Sequence, residues 1–487
     1  MAKNTYTGPI EQIDEWRWRL PRDEQRGMLT DGLVYANSEL LGALRSDPAL
    51  GQVANVACLP GIVGSSMAMP DCHYGYGFPI GGVAATDVDE GVISPGGVGY
   101  DINCGVRLVR TNLTAKDVRP VVEELSNQIF RDVPCGVGGK GGVRLSESEL
   151  EAVLVQGAAW VVKQGRGRPE DLQATEEGGR LEGADPGALS PQALKRGRPQ
   201  LATLGSGNHF LEIQAVDELY DDQAARIMGL EGVGQVCVMI HCGSRGLGHQ
   251  VCDDNIEVMQ QAVHEYGISV PDRQLACVPV QSPEGRRYFA GMAAAANFAW
   301  ANRQAIMHFV REAFERILRM GTDRLGMDLV WDVAHNIAKF ETHDVGGRPQ
   351  PLCVHRKGAT RAFGPGRPEL PHQYREIGQP IIVPGDMGTA SYVLLGTQTA
   401  MQRTWGSACH GAGRALSRHK ALKLQQGSEV ARKLQERGIL VRSAGKKTLA
   451  EEAPEAYKDV EQVVRTCVGA RIAAKVARLR PIAVIKG

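Results

Sequence analysis

Aromatic residues make up only 5% of this 487-residue chain, while glycine occurs 59 times. That balance asks the backbone for many tight turns and close approaches and favours a loop-rich catalytic fold. Net charge is missing as well: Lys and Arg total 55, and so do Asp and Glu. A polyanion cannot then be drawn by the field of the whole molecule, and only a local basic patch could meet one. The N-terminal stretch "MAKNTYTGPIEQIDEWRWRLPRDEQRG" is charged throughout and has no apolar h-region, which argues against a secretory leader and makes a cytoplasmic setting the expectation. No apolar run reaches membrane-span length. The longest candidate, "YFAGMAAAANFAWANRQAIMHFVREAFERIL", is Ala-rich, breaks at Asn297 and Asn302, and reads as a buried helix. Paired cysteine spacings are absent too: the 11 cysteines are odd in number and scattered, as expected of free thiols in a reducing compartment. There is no G-x-x-x-x-G-K-[ST], so a nucleotide site here is not a P-loop. No repeat of fixed period occurs, which removes solenoids and propellers.

What is present fits an ordinary soluble globular protein, with 43% hydrophobic and 23% charged residues. Helical periodicity marks residues 115–133, 289–318 and 413–438. Short β-rich runs end in polar punctuation: "QVCVMI" before His241, "DLVWDVA" before His335, "QPIIVPGDMG" at 379–388 and "RPIAVIKG" at the C-terminus. Residues 164–200, rich in Gly, Pro and charge, read as a mobile lid or insertion, with a domain boundary as the alternative.

The chemistry starts from "GGVGYDINCGVRL", where Asp101 and Cys104 stand three positions apart among glycines. Alone, Cys104 reads as a core thiol. A D-x-x-C spacing on a turn brings a carboxylate and a thiolate to one side, and glycines let the backbone crowd round an ion. His209 in "GSGNHFLE", His241 in "HCGSRGLGHQ" and His335 in "DVAHNIAK" each read singly as a hydrogen-bonded structural histidine. Together with Asp101 and Cys104 they supply enough donors for two ions sharing one thiolate. Ligand softness by itself points to zinc. His410 lies between glycines in "TWGSACHGAGRALSRHK", with Arg414 following and a helix expected next, an arrangement that makes a phosphate cradle. From spacing alone, His410 either attacks phosphorus or only binds the phosphate. "VPGDMGTASY", with Thr389 and Ser391, reads as a nucleotide-binding turn or a plain one. Basic residues gather in three segments: Arg356, Lys357, Arg361 and Arg367; Arg403, Arg414, Arg418, Lys420 and Lys423; and residues 465–487, which hold no acid. These segments are read as a polyanion channel.

Taken together, "MPDCHYGYGFPIGG", "GGVGYDINCGVRL", "GSGNHFLE", "HCGSRGLGHQ", "DVAHNIAK", "VHRKGATRAFGPG", "PGDMGTASY", "SACHGAGR" and the terminal "VIKG" resemble the RtcB family of RNA-splicing ligases, from about residue 8 to the end. The resemblance implies one α+β catalytic domain over residues 1–487, with mixed and antiparallel sheets surrounded by helices; only 164–200 matches nothing recognised. It implies joining of an RNA 3′-phosphate or 2′,3′-cyclic phosphate end to a 5′-hydroxyl end, in tRNA splicing and RNA repair, with GTP and two manganese ions. Asp101, Cys104 and His209 would hold one ion, and Cys104, His241 and His335 the other. His410 would become guanylylated. GTP would be bound by Asn208, His209, Phe210, Leu211, Glu212, His335, Asn336, Pro384, Gly385, Asp386, Met387, Ser391, His410, Gly411, Ala412, Gly413 and Lys486. RNA such as tRNA halves would be the partner, positioned by Arg245 and the basic segments, with archease as an activator and no membrane involved. Two rival readings stand beside it: a dinuclear phosphoesterase acting on RNA ends, and a non-catalytic RNA-binding or chaperone protein.

Overall fold

Strand pairing organises the chain into two large sheets, seen in a computed structural model that describes residues 5–136 and 138–487. The first sheet runs in the order Glu11–Gln12, Arg17–Leu20, Gly32–Tyr35, Ile62–His73, Ile80–Asp87, Arg348–Lys357, Asn336–Val345. The second runs Asp328–Ala334, Gly105–Thr114, Gln235–Cys242, Phe210–Leu219, Ala473–Lys486, Ser391–Gly396, Pro380–Val383, with Leu440–Ser443 added alongside Ala473–Lys486. Each sheet is antiparallel apart from one parallel pair, Gly32–Tyr35 on Ile62–His73 and Leu440–Ser443 on Ala473–Lys486. The expected α+β architecture is the one observed. Fully buried strands such as Gln235–Cys242 carry no polar alternation because both of their faces are covered.

Helices cover the sheets. The longest, Pro283–Leu318, is capped by Ser282, whose side chain accepts from Gly285 N, and buries a run of small residues, Ala293–Ala296. Small side chains there let neighbouring elements approach closely. The buried helix expected over this stretch is the one observed, and the two asparagines that interrupt its apolar run, Asn297 and Asn302, are not exposed. Both side chains are instead buried in a continuous helix and hydrogen-bond backbone outside it: Asn297 Nδ2 donates to Leu154 O at 2.9 Å and Asn302 Nδ2 to Thr203 O at 3.1 Å. No helix among the described residues is long and apolar enough to cross a membrane. The periodic stretch 413–438 is divided into Arg418–Leu424 and Gly427–Glu436. Residues 164–200 hold short helices, and their acids are anchored in the body of the protein. Asp171 accepts from both Arg311 Nη atoms at 2.7 Å, and Glu176 takes the Lys339 amine at 2.7 Å.

Candidate active site

Sheet register, not sequence proximity, assembles the site. Ala334 lies opposite Gly105, Gly105 opposite Cys242, His241 opposite Phe210, and Phe210 opposite Lys486. His335, Cys104, His241, His209 and Lys486 therefore emerge at the same end of five neighbouring strands. His335 is the one residue between Asp328–Ala334 of the second sheet and Asn336–Val345 of the first. Its amide donates to Cys104 O at 2.8 Å, and its carbonyl accepts from Ala359 N at 3.2 Å. Asp101 sits on the turn before the Gly105 strand, closed by Cys104 N donating to Asp101 O, with Asn103 in the left-handed region at φ 50. The Asp101 carboxylate approaches Gly243 so closely that an added Cβ would lie 2.4 Å from it, so only glycine fits there.

Five donors converge on one point. Cys104 Sγ lies 3.4 Å from His209 Nε2 and 3.2 Å from His241 Nε2. His209 Nε2 is 2.7 Å from Asp101 Oδ2, and the Nε2 atoms of His241 and His335 face each other at 3.3 Å. Two ligand triads result, Asp101–Cys104–His209 and Cys104–His241–His335, each with its donor atoms within 4.8 Å of one another, and Cys104 belongs to both. Burial, then the neighbouring His209 and His410 rings, holds His241 well below its ordinary pKa; burial and His410 do the same for His335. Both are thus neutral, the form that ligates metal. Burial pushes the Cys104 thiol up to about 12, and the Asp101 charge adds to it, so a thiolate here needs cations beside it. Burial also acts to raise Asp101, but its pairing with His209 wins and sets it at about 2. His209 Nδ1 donates to Leu204 O at 3.0 Å, which leaves Nε2 as the nitrogen facing Asp101 and Cys104. A carboxylate, a shared sulfur and three imidazole nitrogens, all buried or half-buried and turned towards one another, make a donor set that fits two divalent ions.

An arginine missed by sequence reasoning ties these ligand loops together. Arg303, on the long helix and fully buried, donates to Asn103 O and Cys242 O at 2.8 Å each and grips Asp332 at 2.7 and 2.8 Å. It thus holds the residue before Cys104, the one after His241 and the strand leading to His335. Asp332 also takes Arg107 Nε at 2.7 Å.

His410 follows the Ser407–Cys409 strand and faces the cluster, its ring centroid 4.8 Å from that of His335. Its orientation is set by Asp71, a second residue that sequence reasoning missed although "MPDCHYGYG" contains it. Asp71 Oδ2 lies 2.5 Å from His410 Nδ1 and accepts from His410 N at 2.9 Å and Gly411 N at 3.3 Å. Burial works to raise the Asp71 carboxyl, but His410 and its backbone N–H outweigh it and hold the group below the usual carboxylate range. With Nδ1 engaged, Nε2 is the free nitrogen. Gly413 at φ 72 passes so close that a Cβ would sit 2.2 Å from Asp71 O.

Asp101, Cys104, His241, His335 and His410 share a cavity of about 310 Å³ with Asn208, Phe210, Glu212, Asn336, Pro384, Gly385, Asp386, Met387, Gly411, Ala412, Gly413 and Lys486. A profile of this family, described as tRNA-splicing ligase RtcB, matches residues 52–487. The chain belongs to the RtcB family. Proteins named tRNA-splicing ligase RtcB from Archaeoglobus fulgidus and Thermococcus kodakarensis are each 55% identical to it, over 99% of both chains for the first and over 98% of this chain and 99% of the relative for the second. The one from Methanococcus maripaludis is 54% identical over 98% of this chain and 99% of its own.

Several of the residues singled out from the sequence face away from the cavity or are engaged by other partners. Leu211 alternates away from Phe210 and Glu212 into the hydrophobic core, so its side chain takes no part in the cavity wall. Ser391 lies behind that wall and braces the 384–387 turn, accepting from Gly385 N at 3.3 Å and Gln214 Nε2 at 3.0 Å. The helix-terminus cradle at His410 is not formed. The helix starts only at Arg418, the N–H groups of His410 and Gly411 go to Asp71, and Arg414 is bound to Glu452 at 3.0 Å. Nor do the basic segments make one open channel: Arg356 is buried on Glu341, Arg361 on Glu177, and Arg478 and Arg480 both pair with Asp217. Acids distant in sequence supply the charges these segments lack. Arg245 reaches inward, its Nε donating to Thr203 Oγ1 at 3.2 Å and its Nη1 lying 3.3 Å from His209 Nδ1.

Proposed function

We propose that this chain is the tRNA-splicing ligase that its family name describes, that it serves RNA repair as well, and that it joins a 3′-phosphate or 2′,3′-cyclic phosphate end to a 5′-hydroxyl end through a guanylylated His410. The observation that carries the reading is the His410 ring: held by Asp71 through Nδ1, it presents Nε2 to the same cavity as the paired ligand triads. Two divalent ions, manganese by the family resemblance, would neutralise the triphosphate and polarise a cyclic phosphate. Asp101, Cys104 and His209 would hold one, and Cys104, His241 and His335 the other.

The chain's own residues then carry the steps. His410 Nε2 attacks the α-phosphorus of GTP, forming a P–N bond as the bond to pyrophosphate breaks. Asp71 keeps the Nδ1 proton and stabilises the positive charge that develops on the ring. An oxygen of the RNA 3′-phosphate displaces His410 from that phosphorus, which leaves an RNA-3′-pp-5′-G end. The 5′-hydroxyl of the second strand attacks the 3′-phosphorus and releases GMP. Glu212 and Lys486, which both line the cavity, and the turn Pro384–Met387 would hold the nucleoside. The resemblance adds tRNA halves as substrate, archease as activator and a cytoplasmic setting.

A dinuclear phosphoesterase could use the same ligand cluster, but it has no use for the Asp71–His410 pair and predicts end hydrolysis without GTP. Incubation with α-labelled GTP and Mn²⁺ decides. The ligase reading expects label on the wild-type protein and none on His410→Ala; label retained by His410→Ala, or none on the wild type, would overturn it.

A further inference from the structure

One side of the catalytic cavity is made of rings that neither the metal cluster nor the nucleotide reading uses. Tyr76 and Tyr100 both line the cavity, and both are only partly buried. Their ring centroids are 5.4 Å apart at 66°, and Tyr100 stacks on His249 at 4.8 Å and 28°. Tyr74, two residues before Tyr76, is 48% exposed. In a chain with so few aromatics, most large rings lie in the core, Phe78, Phe298, Trp300 and Trp331 among them. Rings left partly open at a reactive centre call for a ligand with a flat face.

Their place in the fold separates them from those expected GTP contacts that lie towards the other edge of the second sheet. Tyr100 leads into Gly105–Thr114, second from one edge of the second sheet, whereas Lys486, Ser391 and Pro384 belong to the three strands of the other edge or follow directly on them. The charge differs as well. Arg414 and Arg418 line the cavity near Glu452, while beside the tyrosines Lys357 is tied by its amine to Tyr76 O and, at 3.1 Å, to Gly96 O, and burial lowers that amine to about 7. Arg273, whose charge reaches Tyr76, is exposed and does not line the cavity. The grip that the rings themselves offer a nucleotide is on its base.

We propose that the Tyr76–Tyr100–His249 cluster seats the terminal base of the 5′-hydroxyl RNA strand. Of the two ends to be joined, that one carries no terminal phosphate, so stacking must do for it what charge does for the other. The idea rests on the ligase reading, and the platform sits beside Asp101, which brings the bound hydroxyl to the metal cluster. Stacking on an aromatic side chain is independent of base identity, which suits an enzyme meeting varied ends.

The test uses the full chain and an RNA strand with 2-aminopurine as its 5′-hydroxyl terminal base, mixed without GTP. Fluorescence should be quenched on the wild type, unquenched with Tyr100→Ala, and quenched again with Tyr100→Trp. In ligation assays Tyr100→Ala should raise KM for the 5′-hydroxyl strand about tenfold or more, with KM for the 3′-phosphate strand and the rate of guanylylation unchanged. If Tyr100→Ala also loses metal or guanylylation, His249→Ala, which touches no ligand, decides by the same KM. Quenching and KM unaltered in both variants, or an effect confined to the 3′-phosphate strand, would overturn the proposal. A wild type that takes no label from GTP yet quenches the probe would sink the ligase reading and leave the seat standing.

Discussion

Asp71→Asn isolates the part of the mechanism that is drawn most directly in the structure. Asp71 Oδ2 receives the His410 ring at 2.5 Å and two backbone N–H groups, and the carboxylate is wholly buried. An asparagine oxygen can still accept the two backbone donors, so the loop should keep its shape. What is lost is the charge facing Nδ1. A hydrogen bond to a charged group is worth about 1.5–3 kcal/mol, which converts to a fall of about ten- to hundredfold in the rate of guanylylation. If the amide turns its nitrogen to Nδ1, the proton moves to Nε2 and the nucleophilic lone pair is gone, so the loss is larger. The assay is the single-turnover rate of label transfer from α-labelled GTP at saturating Mn²⁺, with metal content measured alongside. Because Asp71 is held below the usual carboxylate range, it is ionised from pH 6 upward, and the variant should show the deficit across that whole range. Guanylylation within twofold of wild type, with full metal content, would refute the role given to Asp71.

Cys104 belongs to both triads, so Cys104→Ser should lower bound metal from two ions per chain towards none, whereas Asp101→Ala should leave about one; elemental analysis of dialysed protein distinguishes them. Burial raises the Glu212 carboxyl from an ordinary 4.5 to about 8. The folded protein therefore holds that proton more tightly than the unfolded chain, and this contribution to stability is full below pH 4.5 and declines as pH climbs towards 8. Glu212→Gln should flatten that part of the Tm-against-pH curve and raise Tm at pH 9; an unchanged slope would remove Glu212 as its source. Arg303→Met should cost about 3–5 kcal/mol by stranding buried charge, read as a lower unfolding midpoint, and should weaken metal binding about 10–100-fold by releasing the ligand loops.

The sequence was most legible where chemistry is written into short motifs. Asp101, Cys104, His209, His241 and His335 could be singled out as donors from residue type and glycine context, and the structure brings all five together. It was least legible where the partner is distant. Asp71 is 339 positions from His410, and Asp332 is 225 from Arg107; nothing in the neighbouring sequence shows that either acid has a partner. The basic segments misled for the same reason: the acids that bury Arg356 and Arg361, Glu341 and Glu177, are supplied by other elements. Asn297 and Asn302 interrupt the apolar run of the long buried helix, and the partners that let them be buried, Leu154 and Thr203, come from elsewhere in the chain.

Register is what converts those scattered motifs into one site, and one strand keeps it while carrying an extra residue. In the strand Asp328–Ala334, Leu329 faces Val109 and Trp331 faces Leu108, so Val330 is an extra residue bulged out of the ladder. Its carbonyl accepts the Tyr374 hydroxyl at 2.6 Å, which holds the bulge in place. Beyond it Asp332 stands opposite Arg107, where the two side chains pair, and Ala334 stands opposite Gly105. Without Val330, Leu329 would still face Val109 and Trp331 would still face Leu108, so the pairs beyond keep their register; what the extra residue adds is local twist and the anchor on Tyr374. Asp332 therefore meets Arg107 and Arg303 through the pairing itself. His335, five residues past Val330, is the link between the two sheets, and the bulge bends the strand that delivers it.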